Sequence, residues 1–203
     1  MAELEIEAID PERVDVGDGI SIPRGWDAVI TDEPGVPGTI RVGVVYDTVL
    51  KRAVAASVRI RRSGEGAEIT TPALREVRVQ WALQLSATRM VRVARGGAEA
   101  EWLPDYLEGV KARRDRTYDE TVREAVTLYR IAATVNLAPL KLVSDQLGVS
   151  VSTATRIMAR AREAGLGVDL ITRETYNRIR ADEDRMSVPH QVPGGAAGPS
   201  IGR

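Results

Sequence analysis

Cysteine is absent from the 203-residue chain, which excludes disulfides, thiolate metal sites and cysteine nucleophiles together. Phenylalanine is absent as well, and aromatic residues make up only 4% of the sequence. The core must therefore be built from Val, Leu, Ile and Ala, with Trp26, Trp81 and Trp102 as its bulky anchors. No apolar run approaches the roughly 18 residues of a spanning helix, and MAELEIEAID lacks the basic and apolar regions of a signal peptide. The expectation is a soluble, cytoplasmic protein with no membrane contact. Histidine occurs once, at His190 beside Pro189, and lysine only at Lys51, Lys111 and Lys141. Arginine in place of lysine, with abundant Ala, Val and Gly, is what a GC-rich genome produces and carries no functional weight.

Catalytic chemistry finds little support. Gly35, Gly38 and Gly43 lack the Gly-Lys-Ser/Thr ending of a phosphate loop. Asp105, Asp119, Glu120 and Glu124 have the mixed spacing of a solvated helix surface rather than of a metal site. Asp27, Asp32 and Glu33 sit among glycines and prolines with no base nearby in sequence. No nucleophile–base pair emerges, so neither an enzyme nor a cofactor is expected.

Net charge is −1, but the distribution is uneven: residues 1–50 hold 11 acids against 3 bases, and residues 109–180 hold 13 bases against 8 acids. The basic stretch is the one that carries the clearest pattern.

Four segments are expected. Residues 1–38 are acidic and punctuated by Gly and Pro, predicting loops with at most a short strand near Leu4–Ala8. Residues 39–96 predict a small α+β domain. TIRVGVVYDTV alternates Ile40, Val42, Val44 and Tyr46, AVAASVRIRRS alternates Val54, Ala56, Val58 and Ile60, and GEGAEITT adds a turn and a short third strand. Thr71-Pro72 then opens a helix to about Val93, with Ala73, Leu74, Val77, Trp81 and Leu85 on one face. Residues 98–186 predict a separate all-α domain, and 187–203 a disordered tail. In the helical part, Trp102–Ala112 forms one helix and Thr117-Tyr-Asp-Glu120 is a capping-box pattern opening another to about Asn136. A further helix is expected over 172–185. The fold class is thus α+β: a small antiparallel sheet with its helix, followed by an all-α unit.

Within that unit, LKLVSDQLGVSVSTATRIMARAREAG (140–165) predicts two short helices joined by a turn at Gly148. Val143 and Leu147 supply an inner face, small Ser144 permits close approach, and Gly148 takes a left-handed conformation without a Cβ penalty. Val149 plugs the space between the helices, Ser150 caps the second one, and Ala154, Ile157 and Met158 or Ala161 point inward. Ser152, Thr153 and Arg156 are left outward on the first turns, positioned to reach base edges. An Arg156–guanine contact is worth about 1–3 kcal/mol of discrimination. Lys141, Ser150, Thr155, Arg160 and Arg162 are suited to phosphates, as are Arg113 and Arg114 in the basic run Lys111, Arg113, Arg114, Arg116 just upstream. Arg59, Arg61 and Arg62 are expected as the solvated, aggregation-resistant face of a strand.

LGVSVSTATRIMARAREAGL resembles the helix-turn-helix of many bacterial and phage regulators. It is especially similar to the actinobacterial form, in which a Ser-Thr-Ala-x-Arg helix ends in Ala-Arg-x-Ala-Gly-Leu. The likeness covers about 30 to 50 residues and departs after Gly165, where Leu166-Gly-Val-Asp replaces a double leucine. It implies a turn glycine at Gly148, groove-facing residues at Ser152, Thr153 and Arg156, and sequence-specific binding of double-stranded DNA. The expected role is transcriptional regulation as a homodimer, with residues 39–96 joining the copies or another protein. Two alternatives stand beside it: a phage or mobile-element accessory protein for excision, replication or packaging, and a protein-interaction adaptor without DNA affinity.

Overall fold

The acidic segment expected as loops is mostly β-strand. A computed structural model describes residues 2–96 and 99–170, and eight strands and six helices run through them in the order β1 (Glu3–Glu7), β2 (Arg13–Gly17), β3 (Ile20–Pro23), β4 (Gly25–Thr31), β5 (Gly38–Asp47), β6 (Arg52–Arg62), α1 (Thr71–Arg75), α2 (Val79–Met90), β7 (Arg92–Val93), β8 (Glu101–Trp102), α3 (Leu103–Ala112), α4 (Tyr118–Thr134), α5 (Pro139–Leu147) and α6 (Val151–Glu163). The strands form two antiparallel sheets, ordered β1-β4-β5-β6 and β2-β3-β7-β8. The tail, the helix expected over 172–185 and His190 lie outside the described residues.

Local chemistry explains the extra strands. Asp18 and Gly19 have φ of +53° and +76°, the positive pair that a two-residue type I′ turn needs, and they link β2 to β3. Ile20 and Ile22 in β3 and Trp26, Ala28 and Ile30 in β4 alternate inward and are almost fully buried. In the first sheet Trp26, Ala28 and Ile30 pair with Val44, Val42 and Ile40 of β5. The β5–β6 hairpin is where the sequence places it, with its register shifted at Gly43/Val44 by a bulge. Residues 63–70 form no strand, contrary to expectation.

The single helix expected from Pro72 is two. Thr70, not Thr71, caps α1, its hydroxyl accepting from Ala73 N. The chain then leaves the helical path over 76–78 and restarts at Val79. This rotates the buried face to Ala82, Leu83, Ser86, Ala87 and Met90, and leaves Leu74 exposed. Trp81 instead stacks at 4.5 Å beneath the Arg78 guanidinium, which is itself bidentate to buried Glu33 at 2.9 Å.

The separate all-α C-terminal domain is also corrected. Buried residues from the strands, α2, α3, α4, α5 and α6 belong to one continuous cluster, from Ile20 to Ala161. Polar ties cross the expected boundary. Gln84 Nε2 donates to Asn136 O at 2.6 Å, and Asn136 Nδ2 donates to Ala53 O at 2.7 Å. Arg130 of α4, nearly buried, donates to Asp18 at 2.8 Å and bidentately to Asp169. Residues 1–170 accordingly form one compact unit of mixed α+β structure. Each large side chain fully buried across that junction stabilises it by roughly 1.5–3 kcal/mol. Among the described residues no helix is long and apolar enough to cross a membrane.

Candidate nucleic-acid interface

Helices α4, α5 and α6 pack on one another, and local sequence fixes each end. The α4 capping box is complete: Thr117 accepts from Glu120 N at 3.3 Å, and Glu120 accepts from Thr117 N at 2.8 Å. Glu120 is further paired with Arg113. The Thr117 backbone N–H, the Arg113 guanidinium and the Thr117 hydroxyl together hold the Glu120 carboxyl down to about 2. Pro139 starts α5 in its first turn, where the missing N–H costs nothing.

The turn between α5 and α6 is closed on both sides. Gly148 is left-handed (φ +66°, ψ +34°), and Val149 N donates back to Ser144 O at 3.1 Å. Ser144 Oγ, nearly buried, donates in turn to Val149 O at 2.6 Å. Ser150 then caps α6, accepting from Thr153 N at 3.1 Å, with the Ser152 and Thr153 hydroxyls 2.9 Å from its own. Such a cap contributes about 1 kcal/mol.

These contacts set the faces of α6. Ala154, Ile157, Met158 and Ala161 are buried, at the spacing of one helical stripe. The opposite face carries Ser152, Thr155, Arg156 and Ala159, all exposed, flanked by Arg160 and Arg162. Small Ala159 at the centre of that face leaves no bulk to hold a partner away. No acid stands in the first turn of α6, and Arg160 and Arg162 lie in its last turn, at the negative end of the helix dipole. From Ser152 to Arg160 the helix rises about 12 Å, close to the width of a DNA major groove.

The proposed contact residues differ in how free they are. Ser152, Arg156, Arg160 and Arg162 are exposed, whereas Thr153 is half-buried and committed to the cap. Thr155 Oγ1 donates to Val151 O at 2.9 Å, so the hydroxyl remains an acceptor. Among the described residues Arg156 makes only a long 3.5 Å contact with Thr153 Oγ1. Lys141 is ion-paired with Asp145 at 3.0 Å on the exposed side of α5. Arg114 is exposed and has no partner among the described residues. Arg113 is different: Glu120 and Asp115 balance its charge, which ties it to the cap of α4. Arg116 likewise donates to Val110 O and Arg113 O, holding the α3–α4 connection in shape. One neighbour escapes sequence reasoning. Tyr118, exposed at the start of α4, lies 5.8 Å from the Arg160 guanidinium. That proximity places the α3–α4 connection beside the C-terminal half of α6, and only the packing of α4 on α6 reveals it.

Arg59, Arg61 and Arg62 are exposed on β6, which is an edge strand of its sheet. Among the described residues no group of three His, Cys, Asp or Glu side chains could hold a metal ion. Comparison with protein-family models, with curated proteins and with solved structures finds no match.

Proposed function

We propose that the chain binds double-stranded DNA in a sequence-specific way, with α6 lying in the major groove. The observation that carries this reading is the outer face of α6. It offers Ser152, Thr155, Arg156, Ala159 and Arg160 with no carboxylate before Glu163, on a helix whose angle to α5 is fixed by Gly148 and the Ser144–Val149 bonds. A helix used merely to cover a core gains nothing from excluding acids on its solvent side. A helix facing phosphates does, because each carboxylate there is repelled.

In this arrangement Arg156 reaches guanine O6 and N7, while Ser152 and the Thr155 oxygen meet base edges or adjacent phosphates. Arg160, Arg162 and Arg114 meet phosphates, adding affinity without sequence information. One such helix reads only a few base pairs, so regulation through a two-fold site requires a second copy. Residues 39–96 are the region we assign to that contact, since β6 is an edge strand of its sheet.

Fluorescence anisotropy of the full chain on a mixed-sequence duplex tests the reading. Binding should weaken steeply with salt, roughly a thousandfold between 50 and 200 mM for about six phosphate contacts. Absence of binding at 50 mM salt would overturn the proposal and favour an adaptor role.

A further inference from the structure

A cleft of about 240 Å³ lies between the β2–β3 turn, the segment following β7, α3 and the first three turns of α4, and no residue of α6 lines it. Its floor is apolar and flat: Val93 and the Tyr106 ring, both almost fully buried. The Arg95 guanidinium lies 4.3 Å over that ring and donates to Tyr106 O at 3.2 Å. Along α4, Glu120, Arg123, Glu124 and Thr127 face the space at helical spacing.

The acids and bases around the cleft are unequally satisfied. Glu120 is taken up by Arg113 and by its own cap. Glu124 accepts the Tyr106 hydroxyl, and burial together with that carboxylate raises the phenol well above its ordinary range. Asp18 is held by Arg130 at 2.8 Å. The donors are not used up in the same way. Arg123 is exposed to the cleft with no acceptor among the described residues. Arg95 Nε is buried and makes no hydrogen bond, with Glu101 Oε1 3.4 Å away as an ion-pair neighbour only. The geometry thus leaves donor capacity on Arg123 and at Arg95 Nε that the carboxylates lining the cleft do not take up.

We propose that this cleft binds a small oxyanion, a phosphate or a carboxylate group of a compact molecule. Arg123 and Arg95 supply the donors, and Tyr106 forms the floor. The space is large enough for an inorganic phosphate or a four-carbon diacid. Its donors, Arg95 and Arg123, are not among the residues assigned to DNA, so it stands or falls apart from that reading.

Isothermal titration of the full chain with inorganic phosphate and, separately, with succinate, each at constant ionic strength in chloride, tests it. At least one anion should bind saturably, and it should raise the thermal midpoint by about 3–6 °C at ten times its dissociation constant. Binding of phosphate alone assigns a phosphate ligand, and binding of succinate alone a carboxylate. Arg123→Gln, at an exposed position, should fold normally and weaken binding roughly ten- to a hundredfold. Arg156→Gln should leave it unchanged, which separates this site from phosphate attraction to α6. If neither anion binds, or if Arg123→Gln and Arg95→Gln both bind as the parent does, the proposal is overturned.

Discussion

Replacing Gly148 probes the turn that sets the angle of α6. The backbone there is left-handed at φ +66°, and a Cβ built on it meets nothing within 4 Å. The penalty for Gly148→Ala is therefore conformational rather than steric. An L-residue in this region costs roughly 1–2 kcal/mol, and the stiffer unfolded chain gives back about 0.4–1 kcal/mol. The expected net loss is about 1 kcal/mol, a fall in thermal midpoint of roughly 2–4 °C for a unit of this size. Gly148→Asn should lose less, because Asn tolerates the left-handed region, and Gly148→Val more, because β-branching does not. Urea unfolding of the four proteins should rank them Gly, Asn, Ala, Val. If Ala equals or exceeds Gly, the turn is not left-handed in solution and the helix angle argued here is wrong.

Other substitutions separate stability from recognition. Met158, 1% exposed, should cost about 2–5 kcal/mol on truncation to Ala and lose any DNA binding with the fold. Arg156→Ala and Arg114→Ala, both on solvent-exposed side chains, should change stability by less than about 0.5 kcal/mol. In anisotropy the first should narrow the gap between preferred and random duplexes, and the second should weaken all duplexes alike. Glu120 and Asp169 are both held below their ordinary values, Asp169 chiefly by the Arg130 guanidinium. Their stabilising contribution is complete above the unfolded carboxylate range and is lost as pH falls, for Glu120 toward about 2. Glu120→Gln keeps the capping geometry but should flatten the acid limb of urea midpoints between pH 5 and pH 2.5; an unchanged limb would show that the Arg113–Glu120 pair contributes nothing.

The parts of this fold that were legible are those fixed within a few residues. The capping box at Thr117–Glu120, the left-handed Gly148, the Ser150 cap and the inward stripe of α6 all follow from near neighbours, and all stand where the sequence puts them. The first 38 residues misled because glycine and proline punctuate strands there instead of replacing them. Asp18-Gly19, an ordinary hairpin dipeptide, and the alternation Ile20, Ile22 then Trp26, Ala28, Ile30 were the available signals. Nothing local announces the pairing of Ile20 with Val93, or Arg130 reaching Asp18 across more than a hundred residues. Those distant contacts merge the sheets and the helices into one core. The cleft was invisible for the same reason, since Arg95, Tyr106 and Arg123 meet only when the segment after β7 folds against α3 and α4.

Selection of duplexes from a random library by the full chain, run in parallel with Arg156→Ala, tests most directly whether α6 reads DNA. The account predicts enrichment of a short motif, repeated with two-fold symmetry, containing a guanine whose preference disappears in the Arg156→Ala selection. Failure of the parent chain to enrich any sequence, or an identical motif from both proteins, would contradict it.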